Sequence, residues 1–435
     1  MPLTLALVIA VPTWAVVFAS VALVFFVSSV LGGLVGPMPR YKLMNADEMP
    51  ANDSDRFLEV VEALADAELN QTGDVEVLTN GPSFYPAELE AIRGAKQSVN
   101  LEAYIFAKGE IANQYLDALT ERAKTGVNVN MVIDAIGSAG TGRSFFKPLE
   151  NAGGKVRWYN GPRWYSLMHL DNRTHRELMI VDGRLGFIGG AGVADQWYSG
   201  THGQPRWRDS AVRIEGEAVY NLQATFAENW LAASGELLIG DEYFPPIHNE
   251  HRLTSLVVNS TPTVGGSTRA RILFQLLLAS ARRSISITTP YFLPDKGLME
   301  GLCHAVERGL RVRILVPGRK SDHMVTRSTS RAGYGPLLKA GAEVYEYQTA
   351  MIHAKVLCVD DLWVVVGSTN FDNRSFGIND EVNLAIRDYA VAARFENDMK
   401  LDLEQSRRVS LEEWSHRPLT ERATELMGLV FERQQ

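Results

Sequence analysis

The stretch HAKVLCVDDLWVVVGSTN, residues 353–370, decides the fold because the same chain contains a second copy of it. The counterpart, HRELMIVDGRLGFIGGAG, spans residues 175–192. In each copy, two short apolar runs flank a turn that contains aspartate, which predicts two tightly connected strands. A pattern that occurs twice in one chain predicts two structurally equivalent halves.

Three further pairs of segments match in the same order, and each member reads as a helix followed by a strand. The pairs are ELEAIRGAKQSVNLEAYIF (from 88) with RILFQLLLASARRSISITTPYF (from 271), LDALTERAKTGVNVNMVID (from 116) with MEGLCHAVERGLRVRILVP (from 299), and LENAGGKVRWYN (from 149) with LKAGAEVYEYQ (from 338). Each half therefore alternates helices and strands and ends in two consecutive strands. We predict an α/β fold of two tandem halves related by a pseudo-two-fold axis, with mostly parallel sheets and helices on both faces.

The N-terminal segment has a different composition from the rest of the chain. Residues 1–39 contain no Asp, Glu, Lys or Arg, and apolar residues dominate from Leu3 to Leu34. About 20 apolar residues suffice to span a bilayer, so we predict one transmembrane helix at 1–38. The alternative is a cleaved signal peptide, but the basic n-region of such a peptide is missing. Because Arg40 and Lys42 follow the span, the body is expected on the cytoplasmic side of the inner membrane.

The repeat and the composition together suggest how the chain is organised. We predict a linker at 39–75, a first half at 76–250, a second half at 251–410 and a C-terminal helix at 411–435. The 43 Lys and Arg residues are outnumbered by 51 Asp and Glu residues. This acidic balance disfavours nucleic acid as a partner, because the phosphate backbone requires a basic surface. The two cysteines exclude a disulfide framework.

Two histidines at matching repeat positions, His175 and His353, are the candidate reactive groups. Side chains alternate along a strand, so Lys355 points the same way as His353, and Glu177 the same way as His175. Phosphodiester transfer without a metal needs a nucleophile, a proton donor and cations for the phosphoryl oxygens. Histidine can serve in the first two roles near neutral pH, and Lys355 can supply positive charge. We expect neither a metal nor another cofactor.

The second copy contains the pattern HxKxxxxD followed by GSxN, formed by His353, Lys355, Asp360, Ser368 and Asn370. This pattern resembles the phospholipase D superfamily. The segments STNFDNRSFGINDEVNLAI, YFLPDKGLM, WRDSAVRIEG and LEEWSHRPLTER are similar to its bacterial cardiolipin synthase branch.

The resemblance implies a membrane-bound phosphatidyltransferase. Such an enzyme would join phosphatidylglycerol to a second phospholipid through a phosphohistidine and release the headgroup alcohol. It also implies that His175 is the nucleophile and that His353 is the general acid and base. The alternatives are a hydrolytic phospholipase D that releases phosphatidic acid, a nuclease of the same superfamily, which the acidic charge disfavours, and a catalytically weak lipid-binding protein.

Further residues are expected to support the histidines. Asp209 and Glu381 occupy matching positions in the two halves and are predicted to orient the imidazoles. Asp182 and Asp360 complete the catalytic motifs by closing their turns. The predicted phosphate-binding residues are Ser368, Asn370 and Arg374, and Tyr104 and Tyr291 are predicted to lie near the cleft.

The first copy departs from the family pattern at Glu177, where the motif has lysine, and at Gly192, which aligns with Asn370. Three interpretations remain open. The site works with Lys355 and another cation, Arg374 or Arg173; Glu177 orients hydroxyls of the acceptor headgroup; or the first half is degenerate.

Overall fold

The computed structural model describes residues 41–161, 172–201, 203–247, 253–261, 268–322, 324–418 and 421–422, with seven further positions between 12 and 24. Among these, no helix combines the length and apolar composition of a membrane span. The transmembrane helix predicted at 1–38 lies outside the described residues, apart from those seven positions. Most of the C-terminal helix predicted at 411–435 also lies outside them.

The first half begins with a long strand and continues as alternating helices and strands. Its strands are β1 (Leu69–Thr79), β2 (Ser98–Ala103), β3 (Asn128–Asp134), β4 (Lys155–Tyr159), β5 (Leu178–Val181), β6 (Leu185–Gly189) and β7 (Ser210–Gly216). The helix α1 (Asp55–Ala65) precedes β1, and the later helices are α2 (Gly81–Gly94), α3 (Glu110–Lys124), α4 (Lys147–Asn151), α5 (Asp195–Tyr198) and α6 (Ala218–Ser234).

The second half repeats this order with small additions. Its strands are β8 (Leu253–Ser260), β9 (Ser284–Thr288), β10 (Phe292–Leu293), β11 (Arg311–Pro317), β12 (Glu343–Tyr347), β13 (Val356–Val359), β14 (Trp363–Gly367), β15 (Phe371–Asp372), β16 (Glu381–Arg387) and β17 (Ser406–Arg408). Its helices are α7 (Arg269–Ser280), α8 (Lys296–Glu307), α9 (Met324–Ala332), α10 (Tyr334–Ala340), α11 (Asn373–Gly377), α12 (Tyr389–Glu404) and α13 (Leu411–Ser415).

One continuous sheet runs through both halves. The strand order β1-β7-β6-β5-β2-β3-β4 in the first half matches β8-β16-β14-β13-β9-β11-β12 in the second, with β17 at the far edge. The halves join where residues 69–72 of β1 pair antiparallel with residues 253–256 of β8. This matching order confirms the predicted tandem α/β architecture.

The prediction of mostly parallel sheets is wrong. Within the large sheet that the structure describes, only β2-β3-β4 and β9-β11-β12 pair in parallel; the short strands β10 and β15 form a separate parallel pair. The remaining neighbours in the large sheet are antiparallel, and they include the motif hairpins β5-β6 and β13-β14, which return directly through tight turns. Helices connect the three parallel strands of each half and so provide the crossover that parallel pairing requires.

The two faces of the sheet carry different cores. On one face, α6 and α12 cover a single core shared by both halves, which includes Phe226, Trp230 and Phe395. On the other face each half has its own core, under α2 and α3 in the first half and under α1, α7 and α8 in the second. Successive side chains of a motif strand are buried on opposite faces of the sheet: Met179 packs in the first half's core and Ile180 in the shared core.

The segment 39–75 is not the linker that we predict from its polar and acidic residues. Ser54 caps α1 by accepting a hydrogen bond from the Phe57 N–H at 3.2 Å. The apolar residues of α1 face the second half's core, where the Phe57 ring meets Trp363 edge-on at 5.8 Å. The helical spacing of these apolar residues, rather than the polar residues around them, decides the structure.

Candidate active site

The two motif histidines lie at the edge of the sheet where the parallel strands end. His175 precedes β5 and His353 precedes β13, and each is held by backbone contacts with the opposite half. The His175 N–H donates to the carbonyl of Asp380 at 2.9 Å, and the His353 N–H donates to the carbonyl of Arg208 at 2.7 Å. One site is therefore assembled from both halves.

The carboxylates that hold the histidines are exchanged between the halves. Nδ1 of His175 lies 3.1 Å from both carboxylate oxygens of Glu381 in the second half. Nδ1 of His353 lies 2.9 Å from Oδ2 of Asp209 in the first half. A carboxylate at Nδ1 favours the tautomer with its proton on that nitrogen, which leaves Nε2 available for reaction. The sequence predicts an acid behind each histidine, but it does not reveal this crossed pairing.

Different donors support the two carboxylates. The Ser368 hydroxyl donates to Oε2 of Glu381 at 2.5 Å, and the Trp197 indole donates to Oδ2 of Asp209 at 3.0 Å. Ser368 is fully buried. The structure thus places it behind Glu381 instead of at the predicted phosphate position, because the end of β14 is packed against β16.

His353 is enclosed by two tryptophans and a lysine. The rings of Trp197 and Trp207 lie 5.3 and 5.5 Å from its imidazole, and Lys355 Nζ lies 3.0 Å from its Nε2. Burial and the charge of Lys355 lower the pKa of His353 to about 4. Burial also lowers the pKa of Lys355 itself. At Gly190 a side chain would approach within 2.7 Å of the Lys355 side chain, so the Gly-Gly of the first copy makes room for the lysine of the second.

Asp209 stays ionised despite its burial. Burial by itself would raise the pKa of this carboxyl, but the hydrogen bond with His353 and the charge of Lys355 outweigh that effect, and the pKa is lowered. Asp209 can therefore stabilise a positive charge on His353 when the imidazole takes up a proton.

A cavity of about 260 Å³ opens between the halves, and several of the predicted site residues line it. Its walls include His175, Glu177, Arg173, His353, Asn370 and Arg374. Tyr104 and Tyr291 also line it, one from each half. The cavity thus contains two imidazoles, two guanidinium groups and amide donors, a combination that suits an anionic phosphodiester.

Glu177 is buried in the wall of this cavity. Its Oε1 accepts hydrogen bonds from the backbone N–H groups of Tyr104 at 3.1 Å and Ile105 at 3.3 Å. Burial raises the pKa of Glu177 well above its usual range, although the Ile105 N–H and the charge of Lys355 act in the opposite direction. A side chain at Gly192 would come within 2.4 Å of the Ile105 carbonyl. The two departures from the motif are thus parts of one local arrangement.

The guanidinium group of Arg173 is largely engaged in hydrogen bonds with other residues of the protein. It donates to Oδ1 of Asp134 at 3.3 Å and to the carbonyl of Asn160 at 2.8 Å.

Asp372 also lies in the cavity wall. It caps α11 by accepting a hydrogen bond from the Ser375 N–H at 2.8 Å, and burial raises its pKa to about 6. Arg374 also lines the cavity, so its guanidinium group can add positive charge to that of Lys355.

Asp182 and Asp360 lie at the opposite end of the motif strands from the histidines. Asp182 accepts hydrogen bonds from the backbone N–H groups of residues 96–98, and Asp360 from those of residues 282–284. Both have positive φ, 53° and 58°. These contacts tie each motif turn to the start of a neighbouring strand, which fits a structural role.

We expect Asp360→Ala to destabilise the fold without acting on the chemistry directly. The change leaves three backbone N–H groups and the Asn52 amide without their acceptor and puts alanine at positive φ. Hydrogen bonds to charged groups contribute about 1.5–3 kcal/mol each, so a loss of about 3–5 kcal/mol is expected. Thermal unfolding measures this loss, with the exposed helical Asp117→Ala as control. A transition temperature unchanged from that of the control would contradict the structural role.

The sequence provides only weak signals for some residues of the site. Trp197 and Trp207 enclose His353, yet nothing in the spacing of QWYSG or RWRD predicts this. Asp322 reaches the cavity from the loop after β11 and accepts a hydrogen bond from the Tyr291 hydroxyl at 2.6 Å. The adjacency of Trp207 to the Arg-Asp pair at 208–209 is the only hint that a tryptophan accompanies the orienting acid.

The fold and the paired histidines define a phosphodiester-transferring protein of the phospholipase D class. The family described as cardiolipin synthase, PLD-like domain, matches residues 89–230 and 275–403, one segment in each half. The chain belongs to this family, and it is an enzyme, a phosphatidyltransferase that acts on phospholipids.

Curated relatives support this assignment, and a solved structure shares the fold. Cardiolipin synthase 1 of Bacillus cereus is 33% identical over 389 residues, which cover 87% of this chain and 76% of that protein. The major cardiolipin synthase of Bacillus subtilis is 35% identical over 368 residues, with 84% and 76% covered. Phosphatidylserine synthase of Haemophilus influenzae shares the fold, with a TM-score of 0.67 at 14% identity over 86% of this chain and 99% of that chain.

Proposed function

We propose that this protein is a membrane-anchored cardiolipin synthase that joins phosphatidylglycerol to a second phospholipid through a phosphohistidine. The observation that carries this proposal is the cavity in which His175 and His353 meet, each held by a carboxylate of the opposite half. Two similar but separately oriented imidazoles suit a two-step transfer, since each step needs one nucleophile and one proton carrier.

In the first step, Nε2 of His175 attacks the phosphorus of the donor lipid. The bond between phosphorus and the headgroup oxygen breaks, and His353 gives its proton to the leaving alcohol. In the second step, His353 takes the proton of the acceptor hydroxyl, whose oxygen attacks phosphorus while the phosphorus–nitrogen bond breaks. Water in place of the acceptor alcohol would give phosphatidic acid.

The first step requires a proton on His353, whose pKa is about 4 in the cavity without substrate. Much of that lowering comes from burial and from the charge of Lys355. A phosphodiester brings a negative charge that offsets Lys355, so its binding promotes protonation of His353. Asp209 then stabilises the imidazolium. Substrate binding and readiness for proton transfer are thus linked.

Lys355 and Arg374 are proposed to supply the positive charge that Glu177 cannot provide. We expect Glu177→Gln to keep kcat/KM within about threefold of wild type at neutral pH, because burial favours the neutral carboxyl, which glutamine mimics. Glu177→Ala removes the acceptor for the N–H groups of Tyr104 and Ile105 and should lower kcat/KM about tenfold. Steady-state kinetics on both variants tests this. A loss of 100-fold or more in Glu177→Gln would instead mean that an ionised carboxylate is required.

Two observations support the anchor. Within the N-terminal segment, the described positions Trp14, Val17, Phe18, Val21 and Val24 are helical, with 58–73% of their surface exposed. Exposed apolar side chains of this kind suit contact with lipid. The cations Arg40 and Lys42 just beyond this segment favour a cytoplasmic body.

The second observation concerns the point where the segment enters the body. The Arg271 guanidinium lies 3.8 Å from the centre of the Tyr41 ring and pairs with Asp295 at the start of α8. Just before Asp295, β10 pairs with β15, whose Asp372 lines the catalytic cavity. The anchor would therefore join the body at the same edge as the active site, which suits a substrate phosphate at the bilayer surface.

Lipid mass spectrometry of the purified full chain in phosphatidylglycerol vesicles tests the proposal. We expect cardiolipin and glycerol, both lost in His175→Ala and in His353→Ala. Phosphatidic acid as the main product would replace the proposal with a hydrolase. No product, even with phosphatidylethanolamine added, would favour a lipid-binding protein.

A further inference from the structure

A second cavity lies away from the catalytic site. It has a volume of about 360 Å³ and lies between residues 41–46 and the helices α7 and α8, and we call it the juxtamembrane pocket. None of its lining residues lines the catalytic cavity. Its outer wall is the segment that directly follows the apolar N-terminal stretch.

The interior of the juxtamembrane pocket is apolar. Leu43 and Ala46 line it together with Leu278 of α7 and Leu298 of α8. Gly301 also lines it, and a side chain added at this glycine would meet no atom within 4 Å. The groove therefore has unfilled apolar space of the kind that accommodates a hydrocarbon chain.

The rim of the pocket carries positive charge. Lys42 and Arg308 are exposed there, and neither forms an ion pair with a carboxylate in the described part of the chain. The other polar side chains of this kind at the rim have local partners: Glu300 lies 3.7 Å from Lys296, and His304 lies 3.1 Å from Glu307. An apolar groove with two available cations at its rim complements a ligand that has one hydrocarbon chain and one negative charge.

The position of the pocket determines which ligand of this kind it meets. Tyr41 is seven residues beyond Leu34, where the apolar stretch ends. If the proposed anchor spans the bilayer, the pocket opens close to the lipid headgroups, so this step rests on the proposed function. A phospholipid that occupies the groove would bridge residues 41–46 and the second half of the body.

We propose that the juxtamembrane pocket binds one anionic phospholipid of the surrounding bilayer, separately from the substrate in the catalytic cavity. Its phosphate is held by Lys42 and Arg308, and one acyl chain lies along Leu278 and Leu298. The bound lipid fixes the junction between anchor and body and thereby the orientation of the catalytic cavity towards the membrane.

Photolabelling tests this site directly. The full chain is reconstituted in phosphatidylcholine vesicles that contain phosphatidylglycerol with a diazirine on one acyl chain, and labelled peptides are identified by mass spectrometry. We expect labelling within residues 275–279 and 298–304, competed by unlabelled phosphatidylglycerol but not by added phosphatidylcholine. Labelling absent from both helices, or competed equally by both lipids, would overturn the proposal.

Variants of the pocket sharpen the test. Gly301→Leu fills the space and should reduce labelling at least fivefold, whereas Gly94→Leu, at an equally open position on α2, should not. Lys42→Gln/Arg308→Gln should weaken competition by phosphatidylglycerol, with the exposed pair Arg93→Gln/Lys124→Gln as control. Thermal unfolding verifies that each variant is folded. Undiminished labelling in folded Gly301→Leu would contradict the site.

Cardiolipin formation is measured in the same samples, so the two proposals fail in different ways. A wild-type protein that makes cardiolipin without labelling at α7 and α8 refutes only the juxtamembrane site. Labelling at these helices without any product refutes only the proposed reaction.

Discussion

Replacing His175 with alanine is expected to abolish phosphatidyl transfer, with kcat/KM reduced by at least about 10⁴-fold. The variant loses the nucleophile, and the other side chain at Glu381, the Ser368 hydroxyl, is fully buried and does not line the catalytic cavity. His353→Ala should have a loss of similar size with natural lipids, because the leaving alcohol then departs without a proton. Product formation from phosphatidylglycerol, followed by lipid mass spectrometry, measures both.

The double variant shows whether the two histidines act together in one reaction or contribute to the rate independently. Residues that act as one unit give non-additive losses, so His175→Ala/His353→Ala should be no slower than the slower single variant. His416→Ala is the matched control, since this histidine is exposed just after α13 and lines neither of the two cavities. Residual activity in His175→Ala above one per cent of wild type would contradict the nucleophile assignment.

Neutralising the orienting carboxylates is expected to have the second largest effect. Glu381→Gln and Asp209→Asn should each lower kcat/KM by about 10²–10⁴-fold, because the amide no longer fixes the tautomer or stabilises the imidazolium. The crossed pairing makes a sharper prediction, since Asp209 acts on His353 and Glu381 on His175. Each carboxylate variant should therefore resemble the histidine variant of the opposite half.

A substrate with an activated leaving group distinguishes the role of the His175–Glu381 pair from that of the His353–Asp209 pair. Phosphatidyl-p-nitrophenol needs no proton donor for departure, so its burst of nitrophenol should persist in His353→Ala and Asp209→Asn. The burst should be lost in His175→Ala and Glu381→Gln. Loss of the burst in Asp209→Asn but not in Glu381→Gln would mean that each acid serves the histidine of its own half.

The same variants predict a change in pH dependence. Asp209 raises the pKa of His353, so its neutralisation lowers that pKa further. A general acid must be protonated, and activity on natural lipids falls as the pH rises through its pKa in the complex. The alkaline limb of kcat should therefore move to lower pH in Asp209→Asn.

Repetition within the sequence predicts much of the fold. Four matched segments in the same order identify the two halves, and the strand order of the sheet reproduces that match. The antiparallel majority is missed because helix–strand alternation describes only β2-β3-β4 and its counterpart. The helix α1 is missed because acidic residues around it conceal the helical spacing of Phe57, Leu58 and Val61.

The site is predictable as a set of residues but not as a set of contacts. The sequence gives equal grounds for pairing Asp209 with either histidine, since it follows His175 as Glu381 follows His353. Only the backbone bridges between the halves, Thr174 with Asp380 and Ile352 with Arg208, decide the exchange. For Ser368, the motif position indicates a residue of the site, but the sequence does not indicate its partner. The packing of β14 against β16 places its hydroxyl on Glu381.

The most direct test of the account is to identify the covalent intermediate. In His353→Ala, the activated substrate should complete the first step, while the second step lacks its base and the intermediate accumulates. Rapid quenching at alkaline pH and peptide mass spectrometry should then find a phosphatidyl group on His175. An adduct on His353 in the reciprocal variant His175→Ala, or release of nitrophenol without any adduct, would contradict the mechanism.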